Sequence, residues 1–196
     1  AEKGLMVING YAQLIICFFG GLLFFIFVVL FAACMILRID FLGLFRHVRE
    51  PMLLAFSTAS SEAAMPKTIQ GLERFGCPDR IVSFVLPLGY SFNLDGSIMY
   101  MTFATMTIAQ ASGMHISIAH QITMMLILLV SSKGVAGVPR ASLVVIAGML
   151  AYFNIPQEGL ALILAIDWLL DMGRSATNVI GNAVATAVVS KWEGDR

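Results

Sequence analysis

The sequence predicts an all-α integral membrane protein in which transmembrane helices are combined with two re-entrant helical hairpins and one broken helix. Three observations carry that prediction. Of the 196 residues, 59% are hydrophobic and 12% charged, and the mean hydropathy is +0.87, more apolar than a soluble domain requires for its core. No charge stands between Lys3 and Arg38. Asp95, Asp167, Asp171 and Arg174 lie inside stretches otherwise apolar enough for a bilayer. There an ionisable side chain costs roughly 2.5 kcal/mol or more, and it marks a substrate or ion path.

The first element is a transmembrane helix over residues 5–38. Its segment 11–37 is a nearly continuous run of Ile, Leu, Phe, Val and Ala, ample for a hydrocarbon core of about 30 Å. The run is too long for a cleaved signal peptide and reads as a permanent anchor. Residues 38–50, with Asp40, Arg46, His47 and Arg49, read as a polar connector. The first re-entrant hairpin is placed at 51–79, because Ser57-Thr58-Ala59-Ser60-Ser61-Glu62 precedes Pro66. Small hydroxylated residues before a proline interrupt a helix, and the freed backbone groups must then face protein or a water-filled cavity. Residues 80–112 are long enough to cross but are interrupted by Gly89 and by Asn93-Leu94-Asp95-Gly96, residues that favour turns over helix interior. A broken helix of this kind exposes carbonyls to cations and N-terminal dipoles to anions.

The second hairpin is placed at 117–154. Its arms, 118–130 and 141–153, are each about 20 Å long at about 1.5 Å per residue, too short to span. Its tip, 131–140, carries glycines that permit close backbone approach. The final helix is placed at 158–191, with 160–189 uninterrupted. Along it Asp167, Asp171, Arg174, Asn178 and Asn182 fall within a stripe about 80° wide. Arg38, Arg46, Arg49, Lys67, Arg74, Arg80, Lys191 and Arg196 share one predicted side, and the loops 112–121 and 154–158 have no Lys or Arg, so the basic side should be cytoplasmic. A Ser-rich tip followed by a helix with central polar residues occurs once over 52–110 and again over 118–190, a duplication common in transporters. Cys17, Cys34 and Cys77 have no metal-ligand spacing and read as packing residues. A formal net charge of zero gives no electrostatic case for nucleic acid.

The chemistry of the final stripe suits a zwitterion with an extra carboxylate. Arginine offers a planar fork that matches a carboxylate, and an ionised aspartate holds an ammonium. A structural Asp171–Arg174 salt bridge is the alternative reading of that pair alone. Hard cations prefer oxygen ligands, which Asn93, Asp95 and unwound carbonyls near Gly89 supply. No nucleophile with a base partner and no metal set stands at catalytic spacing, which argues against an enzyme.

Four motifs, in order, resemble one family. Ser60-Ser61-Glu62-Ala63-Ala64-Met65-Pro66 looks like the first hairpin tip of the dicarboxylate/amino-acid:cation symporters, which include the glutamate transporters. Asn93-Leu94-Asp95-Gly96 looks like that family's Asn-Met-Asp-Gly break, and Ser132-Lys133-Gly134-Val135-Ala136-Gly137-Val138-Pro139 like its second tip. Asp171-Met172-Gly173-Arg174-Ser175-Ala176-Thr177-Asn178 matches the final-helix motif. The chain most resembles the C-terminal transport-domain half of bacterial proton-coupled glutamate/aspartate carriers. The resemblance implies symport of L-glutamate or L-aspartate with protons, or alternatively sodium, across the cytoplasmic membrane by a multi-pass protein, without a cofactor. It implies an elevator-type transport domain, incomplete in this chain, moving against a homotrimeric scaffold. Arg174 would take the side-chain carboxylate and Asp171 the amino group, with Ser61, Ser97, Ser175, Asn178 and the Val138 carbonyl completing the substrate shell. Cation positions of the sodium-coupled relatives correspond to Gly89, Ser91, Asn93, Asp95, Ser132, Asn178 and Asn182.

Three departures bear on those expectations. Asn182 stands where sodium-coupled relatives carry an aspartate, Leu94 replaces the methionine of the break, and Ala59 stands where some relatives carry an arginine. The first two weaken a sodium assignment. Glu62 is the candidate to carry a coupling proton, since burial disfavours the charged form of a carboxylate; a carboxylate merely hydrogen-bonded at a hairpin end is its plainer reading. A C4-dicarboxylate carrier, a non-transporting fragment or subunit, and a channel or pore are the alternatives. Asp171 argues against the first, since a substrate without an amino group gains nothing from it. The scaffold helices that the resemblance implies are missing from this chain, which motivates the second. His115 and His120 read as solvated loop residues, Lys133 and Arg140 as snorkelling or anion-attracting cations, and Asp167 as an orienting group.

Overall fold

The computed structural model describes residues 2–133 and 139–194 and, among them, shows helices and no strand. The apolar first segment forms a single rod: α1 (Glu2–Phe24), a π-helical turn (Phe25–Leu30) and α2 (Phe31–Ile36). Phe18, Leu22, Ile26, Leu30 and Cys34 are its buried residues, one every fourth position. Such a stripe drifts about 40° per step around an ideal α-helix. The wider π turn at the middle of the series takes up part of the drift and keeps the stripe on the protein side. Asn9–Ile36 is the one stretch, among the described residues, that is long and apolar enough to cross a membrane.

Residues 38–50 are not the connector that the charges suggested. The Asp40 carboxylate accepts from the Gly43 N–H at 2.9 Å and caps α3 (Phe41–Thr58). Phe41, Leu44, Val48, Pro51 and Ala55 are buried at spacings of three and four, so Arg46, His47 and Arg49 are the outer face of an amphipathic helix. Ala59 takes a left-handed conformation, φ 51°, and ends α3. After a tip at 59–64, Pro66 opens α4 (Met65–Phe75) in its first turn, where a missing N–H costs nothing. The two helices pack antiparallel, with Lys67 on Glu50 and Gly71 against His47. Pro51 has no N–H for the His47 carbonyl; α4 closes on that carbonyl so tightly that a Cβ at Gly71 would lie 2.6 Å from it.

The third segment breaks at Asn93 and Leu94, between α5 (Asp79–Phe92) and α6 (Asp95–Ala111). Gly89, expected as an interruption, lies within α5. Ser117 caps α7 (Ile118–Ser131), and α8 (Ala141–Tyr152) follows a left-handed Arg140, φ 63°. The last segment is not one helix either. A 3-10 turn (Gln157–Gly159) leads into α9 (Leu160–Leu164), the chain leaves helical geometry at Ile166, φ −120°, and α10 (Asp167–Trp192) begins afresh. No glycine or proline marks this break; it places Asp167 in the first turn of α10, where the helix dipole favours a carboxylate.

α10 is the axis of the molecule and packs on α3, α4, α5, α6 and the α1 rod. It is buried nearly all round between Leu170 and Ala187, so its polar stripe is not the inner side of an otherwise exposed helix. One apolar cluster joins Cys34, Leu44, Val48, Leu72, Val82 and Leu86 to Ile180, Ala183, Val184 and Ala187 of α10. A second joins Phe18, Leu22, Met101, Met124, Leu128 and Ile146 to Leu170. The polar residues of α10 from Asp171 to Asn178 lie between the two. Cys34 and Cys77 pack in the first cluster as expected, whereas Cys17 is exposed on α1.

Candidate functional site

The centre of the polar layer is Arg174, fully buried on α10. Its Nε forms an ion pair with Asp171, three residues earlier and equally buried. Its Nη1 donates to Ser97 Oγ at 3.0 Å and to Ser142 Oγ at 3.3 Å. Ser97 also accepts from Asn178 Nδ2 at 3.0 Å, and its backbone N–H donates to Asn178 Oδ1 at 3.2 Å. The first turn of α6, immediately after the break, is thus tied to α10 by a reciprocal pair. Gly96 makes this register possible, because any Cβ there would strike the Arg174 carbonyl.

Asp171 is held from both sides: one oxygen faces Arg174, and the other accepts from the Arg140 N–H at 2.9 Å. Asp167 receives the Tyr100 hydroxyl and lies 3.4 Å from Arg140 Nε. Buried ions are tolerated only when paired and hydrogen-bonded, and both aspartates meet that condition. The hydroxyls of Ser61 and Ser175 are buried with no hydrogen-bond partner among the described residues. Buried hydroxyls left without a partner suit a ligand or water.

Of the predicted substrate shell, the structure joins Ser97, Asp171, Arg174 and Asn178 directly. It buries Ser61 and Ser175 without linking their hydroxyls, and Val138 lies outside the described residues. The predicted cation set divides. Asn93 Nδ2 donates to Asn182 Oδ1 at 3.3 Å and to Asp95 Oδ2 at 3.5 Å. Gly89 abuts the Asn182 amide and Gly181 the Asp95 carboxylate. Among the described residues the other members form no hydrogen bond to them: Ser91 is exposed and turned to Pro87 of its own helix, Ser132 donates to Leu129, and Asn178 serves Ser97. Glu62 is half-buried at the tip after α3. Ser142, Tyr100 and Arg140 join the site beyond the residues that the sequence predicts for it. Arg140 offered a signal as a charge beside an apolar helix, but a serine and a tyrosine in apolar runs offered none.

A helical protein with an apolar crossing segment, broken helices and a buried guanidinium–carboxylate centre has the make-up of a membrane carrier for charged solutes. Comparison with known proteins agrees: the model of the sodium:dicarboxylate symporter family matches residues 1–192. The chain belongs to this family, whose members are membrane transporters and not enzymes. A proton/sodium-glutamate symport protein of Bacillus caldotenax is 47% identical over 93% of this chain and 44% of its own length. Its Bacillus subtilis (strain 168) counterpart is 42% identical over 99% and 45%. A C4-dicarboxylate transport protein of Pseudomonas chlororaphis is 48% identical over 92% and 41%. The chain therefore spans less than half the length of these relatives.

Proposed function

We propose that this chain is the substrate-holding part of a secondary transporter that carries L-glutamate or L-aspartate together with protons across the cytoplasmic membrane. The observation that carries the reading is Arg174: a fully buried guanidinium, paired with Asp171 and braced by Ser97 and Ser142. A buried arginine fork costs desolvation that a bidentate carboxylate ligand offsets. In this reading the side-chain carboxylate meets Arg174, the ammonium meets Asp171, and Ser61, Ser175 and Asn178 complete the shell, with Val138 at the second tip. The α3–α4 and α7–α8 pairs are re-entrant hairpins, and the transport domain works as an elevator within a homotrimer in the inner membrane, its basic loops cytoplasmic.

Proton coupling is favoured over sodium because Asn182 and Asn93 bond to one another where a cation would need oxygens. Glu62 is the proposed proton carrier. A second reading, a C4-dicarboxylate cargo, has an observation of its own: both oxygens of Asp171 are already engaged by Arg174 and Arg140. The names of the Pseudomonas relatives fit it too.

The test is uptake into proteoliposomes by the protein at its native length. Arg174→Ala should abolish L-glutamate uptake, and Arg174→Lys, which keeps the charge but loses the fork, should retain only a small part of it. Unchanged glutamate affinity in Arg174→Ala would remove the reading. Succinate competing as well as L-glutamate would move the assignment to the second cargo, and replacing a pH gradient by a sodium gradient decides the coupling ion.

A further inference from the structure

On α10 two aspartates, Asp167 and Asp171, stand against one arginine, Arg174, and all three are fully buried. Left at that, the segment would carry an excess negative charge beside the group that is to receive an anion. The balance is restored from outside the helix. Arg140, at the start of α8, sets its Nε 3.4 Å from Asp167 Oδ2 while its backbone N–H holds Asp171 at 2.9 Å. Two residues on, Ser142 accepts from Arg174. Tyr100, from α6, donates to the other oxygen of Asp167. Every charged residue of the α10 stripe is thus met by the Arg140–Ser142 corner.

We propose that Arg140 is a specificity-determining positioning residue: its guanidinium cancels Asp167, so that Arg174 keeps the positive potential an acidic substrate needs. The inference rests on the acidic-substrate reading above. Opposite charges raise affinity by complementarity of potential, and an uncompensated like charge lowers it. The Arg140 side chain is 60% exposed against 0% for Asp167, so the compensating charge sits at the rim and not among the substrate-touching groups. Its backbone supplies a clean way to remove it. At φ 63° a residue with a Cβ is strained and glycine is not. Arg140→Gly therefore relaxes the chain, keeps the N–H on Asp171 and deletes the guanidinium alone.

The experiment is calorimetric titration of L-aspartate and of succinate into the detergent-purified protein at native length, each variant first checked for a cooperative thermal transition. Arg140→Gly should weaken L-aspartate binding by about tenfold, the scale of one nearby charge at an effective dielectric of about 20 after screening. The loss should be larger for succinate, which carries one more net negative charge. Arg140→Lys should recover most of the affinity, Asp167→Asn should strengthen binding, and Arg140→Gly combined with Asp167→Asn should return towards the parent. Unaltered binding in Arg140→Gly overturns the inference, as does a double variant as weak as Arg140→Gly, which would mean direct contact with substrate or a purely structural role. If the parent protein binds neither ligand, the acidic-substrate reading falls and this inference with it; parental binding with an indifferent Arg140→Gly removes this inference alone.

Discussion

Gly96→Ala should disable the site without touching any of its polar groups. The added methyl would meet the Arg174 carbonyl oxygen and lie 2.9 Å from Thr177 Cβ and 3.0 Å from the Arg174 carbonyl carbon. Two of these atoms are backbone, so no rotamer change relieves the clash and α6 must move away from α10. Overpacking of this type costs about 1–3 kcal/mol. Separation also stretches the two hydrogen bonds that Ser97 Oγ accepts from α10, at 3.0 Å each. The one from the guanidinium is worth about 1.5–3 kcal/mol and the one from the amide about 1 kcal/mol. Together the loss is about 3.5–7 kcal/mol, comparable with the whole stability of many domains. Thermal unfolding in detergent, followed by tryptophan fluorescence, measures it. Gly148→Ala is the control: that glycine lies within α8 with nothing near its Cβ position, so alanine should be neutral or stabilise by about 0.5–1 kcal/mol. A Gly96→Ala protein as stable as Gly148→Ala would refute the close-approach argument.

Two further outcomes are expected. Ser142→Ala removes one acceptor from the buried guanidinium and should lower stability by about 1.5–3 kcal/mol; a thermal transition at the parent's temperature would mean that this contact contributes nothing. Lys67 holds the Glu50 carboxyl below its ordinary range, first by a hydrogen bond and then by charge attraction. A carboxyl lowered in the folded state contributes stability at neutral pH that is lost as the pH falls through its folded value. Lys67→Met should therefore flatten the acid limb of a melting-temperature profile, and an acid limb identical to the parent would show that the pair contributes nothing.

How much was legible in the sequence differs from residue to residue for physical reasons. The break at Asn93 and Leu94 was readable because its determinants are local: Asn, Asp and Gly compete with helical backbone bonds wherever they stand. The break at Ala165 and Ile166 was not, because it is written in Tyr100 and Arg140, far along the chain, which fix where Asp167 must sit. The segment 38–50 was misread for a different reason. Its charges dominate the local composition, whereas its helical signal is the spacing of Phe41, Leu44, Val48, Pro51 and Ala55, which runs through a proline. Within the site, Asp171, Arg174 and Asn178 stood out because charge and amide are costly among apolar neighbours. Ser97 was reached through family resemblance, and Ser142 became visible only as a partner of Arg174.

The placement of α10 has a consequence for how the chain acquires its structure. Each apolar cluster is closed by residues of this helix, Leu170 in one and Ile180, Ala183, Val184 and Ala187 in the other, and every other described element precedes it in the sequence. During synthesis the earlier helices therefore emerge with both of their interior faces still open. Until the ribosome has delivered the α10 segment they hold one another through hairpin contacts and through the packing of α1 and α8 on α6, and its arrival joins the two clusters into one cooperative unit.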